Sequence, residues 1–296
     1  METVKTINTT TAPQKRKSQF RLKWVRFSRN KLSMIGLSLL VILIIVILTA
    51  PLYISYDSVI SQSISERFQL PSAQHLFGTD QYGRDLFARI IYGGRISLFA
   101  SIVTIAIAFV LGLLLGSISG YFGGKTDMII MRFCDVLMAV PGILLSMAIV
   151  AALGQGLEKL LIALSISIVP AQARTVRAAV MTLRGQEYIE AAKTYGLKTP
   201  LILIKHIIPN IIGPLTVGIT MGLGSTILRI ASLGFLGIGI ASPTPEWGTI
   251  ISENQTNIRF YPYLGIIPGL FIMLSVMCLN FIGDGLRDAL DPKMKK

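Results

Sequence analysis

The sequence predicts an all-α membrane protein, a bundle of about six transmembrane helices with both termini in the cytoplasm. Three observations carry this. First, 52% of the 296 residues are hydrophobic and only 15% charged, with a mean hydropathy of +0.65, which is too apolar for a soluble domain of this size. Second, a helix needs about 20 mostly apolar residues to cross a hydrocarbon core about 30 Å thick, and the chain holds several such runs. Third, the basic residues fall unevenly between the runs. A cytoplasmic N-terminus places 21 of the 28 Lys and Arg inside, as the positive-inside rule requires.

Residues 1–31 form a basic cytoplasmic tail, its first dozen residues rich in Thr and expected to be disordered. The first span is 32–56, with no small-residue cleavage site after it, so it is read as a retained span. An extracytoplasmic segment, 57–95, leads to a five-span core over 96–282. Its spans are Ile96 to Phe122, Phe133 to Leu157, Leu160 to about Val180, Ile207 to Leu228 and its extension, and Phe260 to Ile282. Residues 283–296 are a second cytoplasmic tail. Gly112, Gly116 and Gly120, preceded by Ala108, give the second span a smooth face for close helix packing, within the bundle or against another membrane subunit. Gly218 and Gly222 do the same for the fifth. Pro141-Gly142 should kink the third.

The loop at 181–210, between the fourth and fifth spans, has readable helix signals. Gln186 to Tyr195 favours helix, with Glu187 and Glu190 in early turns where the helix dipole favours acids. Gly196 supplies a left-handed stop. Thr199-Pro200 reads as an N-cap with proline behind it, opening a second short helix that ends near Pro209.

The order Glu190-Ala191-Ala192, Gly196, Ile207-Ile208-Pro209 resembles the EAA loop of ABC-importer permeases, which docks in a cleft of an ATPase subunit. Tyr188, Glu190, Ala191, Ala192, Gly196 and Pro209 are the coupling residues this implies. Their chemistry suits docking: alanines permit close approach, Glu190 offers a charge to a partner cation, and Tyr188 and Tyr195 offer anchors. A helix lying on the membrane surface is the structural alternative.

Three more segments resemble C-type permease subunits of the dipeptide, oligopeptide and nickel importers. They are Phe77-Gly78-Thr79-Asp80 with Gly83-Arg84-Asp85 and Tyr92 to Leu98; Gly234 to Gly237 with Pro243-Thr244-Pro245-Glu246-Trp247-Gly248; and Gly283 to Pro292. The resemblance implies a type I ABC-importer permease fold and import of di- or oligopeptides, with a nickel chelate as the alternative cargo. It further implies a B-type permease partner, two ATPase subunits that hold ATP and Mg, an extracytoplasmic binding protein, and no enzyme activity or cofactor on this chain. Read as residues, Arg84, Arg89 and Arg95 anchor the second span at the headgroups, and Pro243 to Gly248 form a rigid outer loop with Trp247 at the interface, whose functional alternative is docking of the binding protein through Pro245, Glu246 and Trp247.

Arg229 lies deep in the fifth apolar stretch, where a cation should face protein or a wet cavity, and is a candidate residue of the translocation path. Asp135, near the start of the third span, is expected to reach back to the interface. Other classes fit less well. Gly123-Gly124-Lys125-Thr126 lacks the spacing of a phosphate-binding loop, and His75, His206, Cys134 and Cys278 have no metal-ligand spacing. The charge pattern excludes nucleic acid, and neither the internal repeat nor the midplane acids of a secondary transporter stand out.

Overall fold

The computed structural model describes residues 19–290. The tails at 1–18 and 291–296, with the expected disorder of the first dozen residues, lie outside the described residues. Every named element is helical. A short helix α1 (Gln19–Arg29) precedes α2 (Lys31–Thr49), the first span, opened by Asn30, whose side chain accepts from the Ser33 N–H. After a 3-10 turn and the small helix α3 (Tyr56–Ile60), the chain turns into α4 (Leu86–Phe122). At 37 residues α4 is about 55 Å long, far more than the bilayer needs. It starts ten residues before the expected Ile96 because Asp85 caps it, accepting from the Ala88 N–H at 2.8 Å.

The third crossing departs most from expectation. Instead of one kinked helix there are two, α5 (Gly124–Met138) and α6 (Gly142–Leu153), meeting at 84°. Pro141 has no N–H to continue the helix and disfavours helical geometry in the residue before it. At 12 residues α6 reaches only about 18 Å, too short to cross by itself, and α5 turns away from it at nearly a right angle, the geometry of a broken span or of a re-entrant loop. The remaining spans are α7 (Leu157–Arg184), α10 (Ile208–Phe235) and α12 (Tyr263–Leu290). Between α7 and α10 lie α8 (Glu187–Thr194) and α9 (Thr199–Ile202), and α11 (Trp247–Glu253) follows α10. α12 runs on through the Gly283 to Leu290 motif, which is helix.

The glycine face of α4 is filled from within the chain. A Cβ on Gly112 would collide with the Cβ of Gln172 on α7, one on Gly116 with the α7 backbone at Ala173 and Arg177, and one on Gly120 would lie 2.8 Å from the Arg177 carbonyl. That settles the choice left open for this face in favour of internal packing. Gly218 on α10, by contrast, faces open space. Gly283 and Gly285 let α12 close on Met221 of α10 and on Ser33 of α2. Asn30 also meets Asp288 at 3.1 Å, so both ends of the described chain lie together, at the same end of the bundle as α8 and α9.

Candidate functional site

The segment between α7 and α10 is held by its apolar side. Ile189 and Ala192 of α8 are buried against Val176 and Val180 of α7, with Ile202 and Ile207 closing the cluster. α8 stops in a Schellman motif: the Leu197 N–H reaches the Ala192 carbonyl at 3.2 Å and the Gly196 N–H reaches Lys193 at 2.9 Å, with Gly196 at φ 77°. Glycine is needed there because the conformation is left-handed. The N-cap of α9 is Lys198 and not Thr199, and neither side chain caps it. Nor does the second helix end at Pro209. A π turn over Leu203–Ile207 carries it into α10, the Ile208 N–H bonding back to Leu203. The wide turn lies just ahead of Pro209, which has no N–H to give the preceding turn.

The opposite side of the segment faces outward. Tyr188, Glu190, Ala191, Gly196 and Pro209 are exposed, and Tyr195 is 85% exposed. Ala192 alone of the six expected coupling residues turns inward, so of the two alanines Ala191 is the one at the surface. Glu190 pairs with Lys193 at 2.7 Å across one helical turn. Together they line a surface depression with Met181, Arg184 and Gly185. An exposed pair of this kind contributes at most about 1 kcal/mol, so it yields readily to a better partner.

Two ion pairs tie α5 to α7 just before α8. Asp127 takes both the Nε and Nη2 of Arg177, at 2.5 and 2.6 Å, and also the Ser119 hydroxyl of α4. Asp135 pairs with Arg174 at 2.6 Å, so it has a partner on the neighbouring helix and does not reach alone for the interface.

At the other end of the bundle the sequence motifs turn inward. Asp80, Arg84 and Arg89 are buried, not at headgroups, and converge on Glu253 of α11. Arg84 reaches Asp80 and Glu253 at 2.6 Å each, and Arg89 reaches Glu253 at 2.7 Å. Arg95 alone of the three arginines stays exposed, over the Tyr92 ring. Pro245, Glu246 and Trp247 are buried, which corrects their reading as a docking surface and that of Trp247 as an interface anchor. Glu246 caps α11, accepting from the Thr249 N–H and the Ser97 hydroxyl at 2.9 Å each. Trp247 fills the space between α4 and α12, and its indole N–H donates to Ile90. The surface part of this loop is Ala241 to Pro243. Glu253 gave no sequence signal, since it meets Arg84 across 169 residues.

Arg229 is half-buried in α10 and makes no ion pair or hydrogen bond among the described residues. Its Nη1 lies 3.0 Å from where a Cβ on Gly142 would stand.

Comparison with known proteins assigns a family. Residues 112–296 match the model for the inner membrane component of binding-protein-dependent transport systems, and residues 18–71 match the N-terminal transmembrane domain of oligopeptide transport permease C. The chain is 46% identical to the dipeptide transport system permease protein DppC of Alkalihalophilus pseudofirmus over 94% of its own length and 91% of that protein's. It is 41% identical to the glutathione transport system permease protein GsiD of Escherichia coli over 92% and 90%. A chain from inward-facing MetNI methionine ABC transporter matches with a TM-score of 0.58 at 20% identity, over 70% of this chain and 98% of that one.

Proposed function

The chain belongs to the family of inner membrane components of binding-protein-dependent transport systems, and from that premise we propose that its cargo is a peptide. It is a multi-pass inner-membrane permease subunit of an ABC importer, not itself an enzyme, with ATPase activity in separate subunits. The observation that carries the peptide reading is the identity with a dipeptide permease over nearly the whole chain, joined by the match to an oligopeptide permease domain at the N-terminus. The glutathione permeases among its relatives favour a second reading within the same class, since glutathione is a tripeptide.

In this reading the chain pairs with a related B-type permease, receives cargo from an extracytoplasmic binding protein and docks two ATPases that hold ATP and Mg. Residues 1–31 and 283–296 lie in the cytoplasm with the 181–210 segment, and 57–95 lies outside. The outward face of α8 and α9 meets an ATPase through Tyr188, Glu190 and Ala191. Ala192 holds that segment from within, while the exposed Gly196 sets its turn and the exposed Pro209 follows its π turn. What supports this is the division of α8 into a buried apolar face and an exposed face with Glu190 at a surface depression. The test is uptake into vesicles by the reconstituted complex, offered a dipeptide, glutathione or a nickel chelate. ATP-dependent accumulation of either peptide is the expected result, and accumulation of nickel alone would reject the peptide reading.

A further inference from the structure

Arg229 stands six residues before the end of α10 at Phe235, about 9 Å in along the axis. Helical side chains lean toward the N-terminus of their helix, which carries the guanidinium deeper. It arrives beside Gly142, where a Cβ would lie 3.0 Å from its Nη1 and 3.9 Å from Ser167 Cβ. Ser167 is ten residues from Leu157, at the end of α7 that Glu158 and Lys159 mark as aqueous, and so about 15 Å in. The guanidinium therefore lies near the middle of a hydrocarbon core about 30 Å thick.

A cation at that depth normally pairs with an acid or with backbone carbonyls, yet Arg229 has neither ion pair nor hydrogen bond among the described residues. Beside it the third crossing is broken, and Ala139, Val140 and Pro141 are exposed and non-helical or at a helix end. Backbone of that kind is tolerated at membrane depth where it is covered by protein or lines water. On the face of α10 that carries Arg229, Ser225 and Ser232 lie one turn to either side, their hydroxyls donating to the Gly222 and Leu228 carbonyls of the same helix, so the guanidinium holds the uncommitted donors there. An uncommitted guanidinium and an open stretch of backbone thus adjoin at mid-depth beside Gly142.

We propose that Arg229 is a carboxylate-binding station in the translocation path, receiving the C-terminal carboxylate of the peptide as it crosses. This rests on the peptide-importer reading above. The chemistry fits, because a planar guanidinium takes a carboxylate through two parallel hydrogen bonds. A C-terminal carboxylate is also common to peptides whatever their side chains, so one arginine serves a varied cargo.

The test uses the assembled importer in proteoliposomes with Arg229→Cys, Arg229→Gln and Arg229→Lys. The native Cys134 and Cys278 are both buried, so the wild-type complex supplies the labelling background. The thiol introduced by Arg229→Cys is expected to react with a water-soluble trimethylammonium methanethiosulfonate, which reports its exposure to water, and attachment of an aminoethyl group, whose ammonium can donate hydrogen bonds, should restore part of the dipeptide uptake where a neutral reagent does not. Arg229→Gln should lower dipeptide uptake by about ten- to a hundredfold, the loss expected for a charge-assisted hydrogen bond. ATP hydrolysis stimulated by the loaded binding protein should stay within about twofold of wild type if the complex is intact, and Arg229→Lys should keep part of the uptake. An introduced thiol that stays unreactive in the complex means that lipid or an acid of the second permease covers the site, and overturns the proposal. Wild-type uptake by Arg229→Gln, equal rescue by the neutral reagent, or failure of even Arg229→Lys to assemble would also overturn it. No peptide uptake by the wild-type complex would count against the peptide reading alone, and labelling of the Arg229→Cys complex, which needs no transport, then decides whether the site is open to water.

Discussion

At the scale of single residues, the ion cluster of Asp80, Arg84, Arg89 and Glu253 shows what buried charge demands. Two acids and two arginines cancel, and Asp80 also accepts from the Tyr82 and Arg84 N–H groups. Removing one acid leaves a buried cation uncompensated, a loss of about 3–5 kcal/mol for this type of group. Glu253→Gln should therefore sharply lower the thermal unfolding temperature of the purified subunit, and a change of under a degree would contradict this role. Trp247→Ala should destabilise by a similar amount, about 3–5 kcal/mol, because the ring is fully buried and its indole N–H is bonded. The sequence made Asp80 and Arg84 visible through a turn rich in Gly and Asp. It misdirected the reading of Pro245 to Trp247, since a proline-rich stretch between spans has the composition of an exposed loop. The one readable hint was Glu246 three residues before Thr249, the spacing at which a side chain caps a helix.

At the scale of elements, the chain distinguishes glycines that pack from those that do not. Gly116→Leu should drive α4 away from α7 and abolish recovery of the folded subunit, while Gly218→Ala, with no atom within 4 Å of the new Cβ, should leave the stability of the isolated subunit unchanged. The ties between α5 and α7 bear on movement. α7 leads directly into α8, so the Asp127 and Arg177 pair links the α8 and α9 segment to α5, which ends just before the break at Pro141. Asp127→Asn should lower the peptide imported per ATP hydrolysed more than it lowers hydrolysis itself, and the reciprocal swap Asp127→Arg with Arg177→Asp should recover part of it. Equal loss of both activities in the single and double variants would contradict the link. The helices α8 and α9 were legible because Gly196, Pro200 and the early acids are local signals. The π turn was not, since it is set by Pro209 together with the packing of Ile202 and Ile207.

For the whole molecule, the five long apolar helices and the apolar stretch that forms the bent α5 and α6 pair were legible from hydropathy and charge, because those report the free energy of moving segments into lipid. The direction a segment takes once inside is not in that quantity. Hence the 84° break in the third crossing, the ten extra residues of α4 and the inward turn of the charged motifs emerged only from packing. The bundle gathers the described termini and the α8 and α9 segment at one end and the Asp80 to Glu253 cluster at the other. Arg229 lies between them beside the break. In the function proposed above, the first end receives force from the ATPases and Arg229 holds cargo. The most direct test is the number of dipeptides imported per ATP hydrolysed by the reconstituted complex, compared between the wild-type chain and Glu190→Ala in complexes of equal subunit content. If the outward face of α8 transmits ATPase closure, Glu190→Ala should lower that ratio severalfold while hydrolysis continues. An unchanged ratio with full uptake would contradict the account.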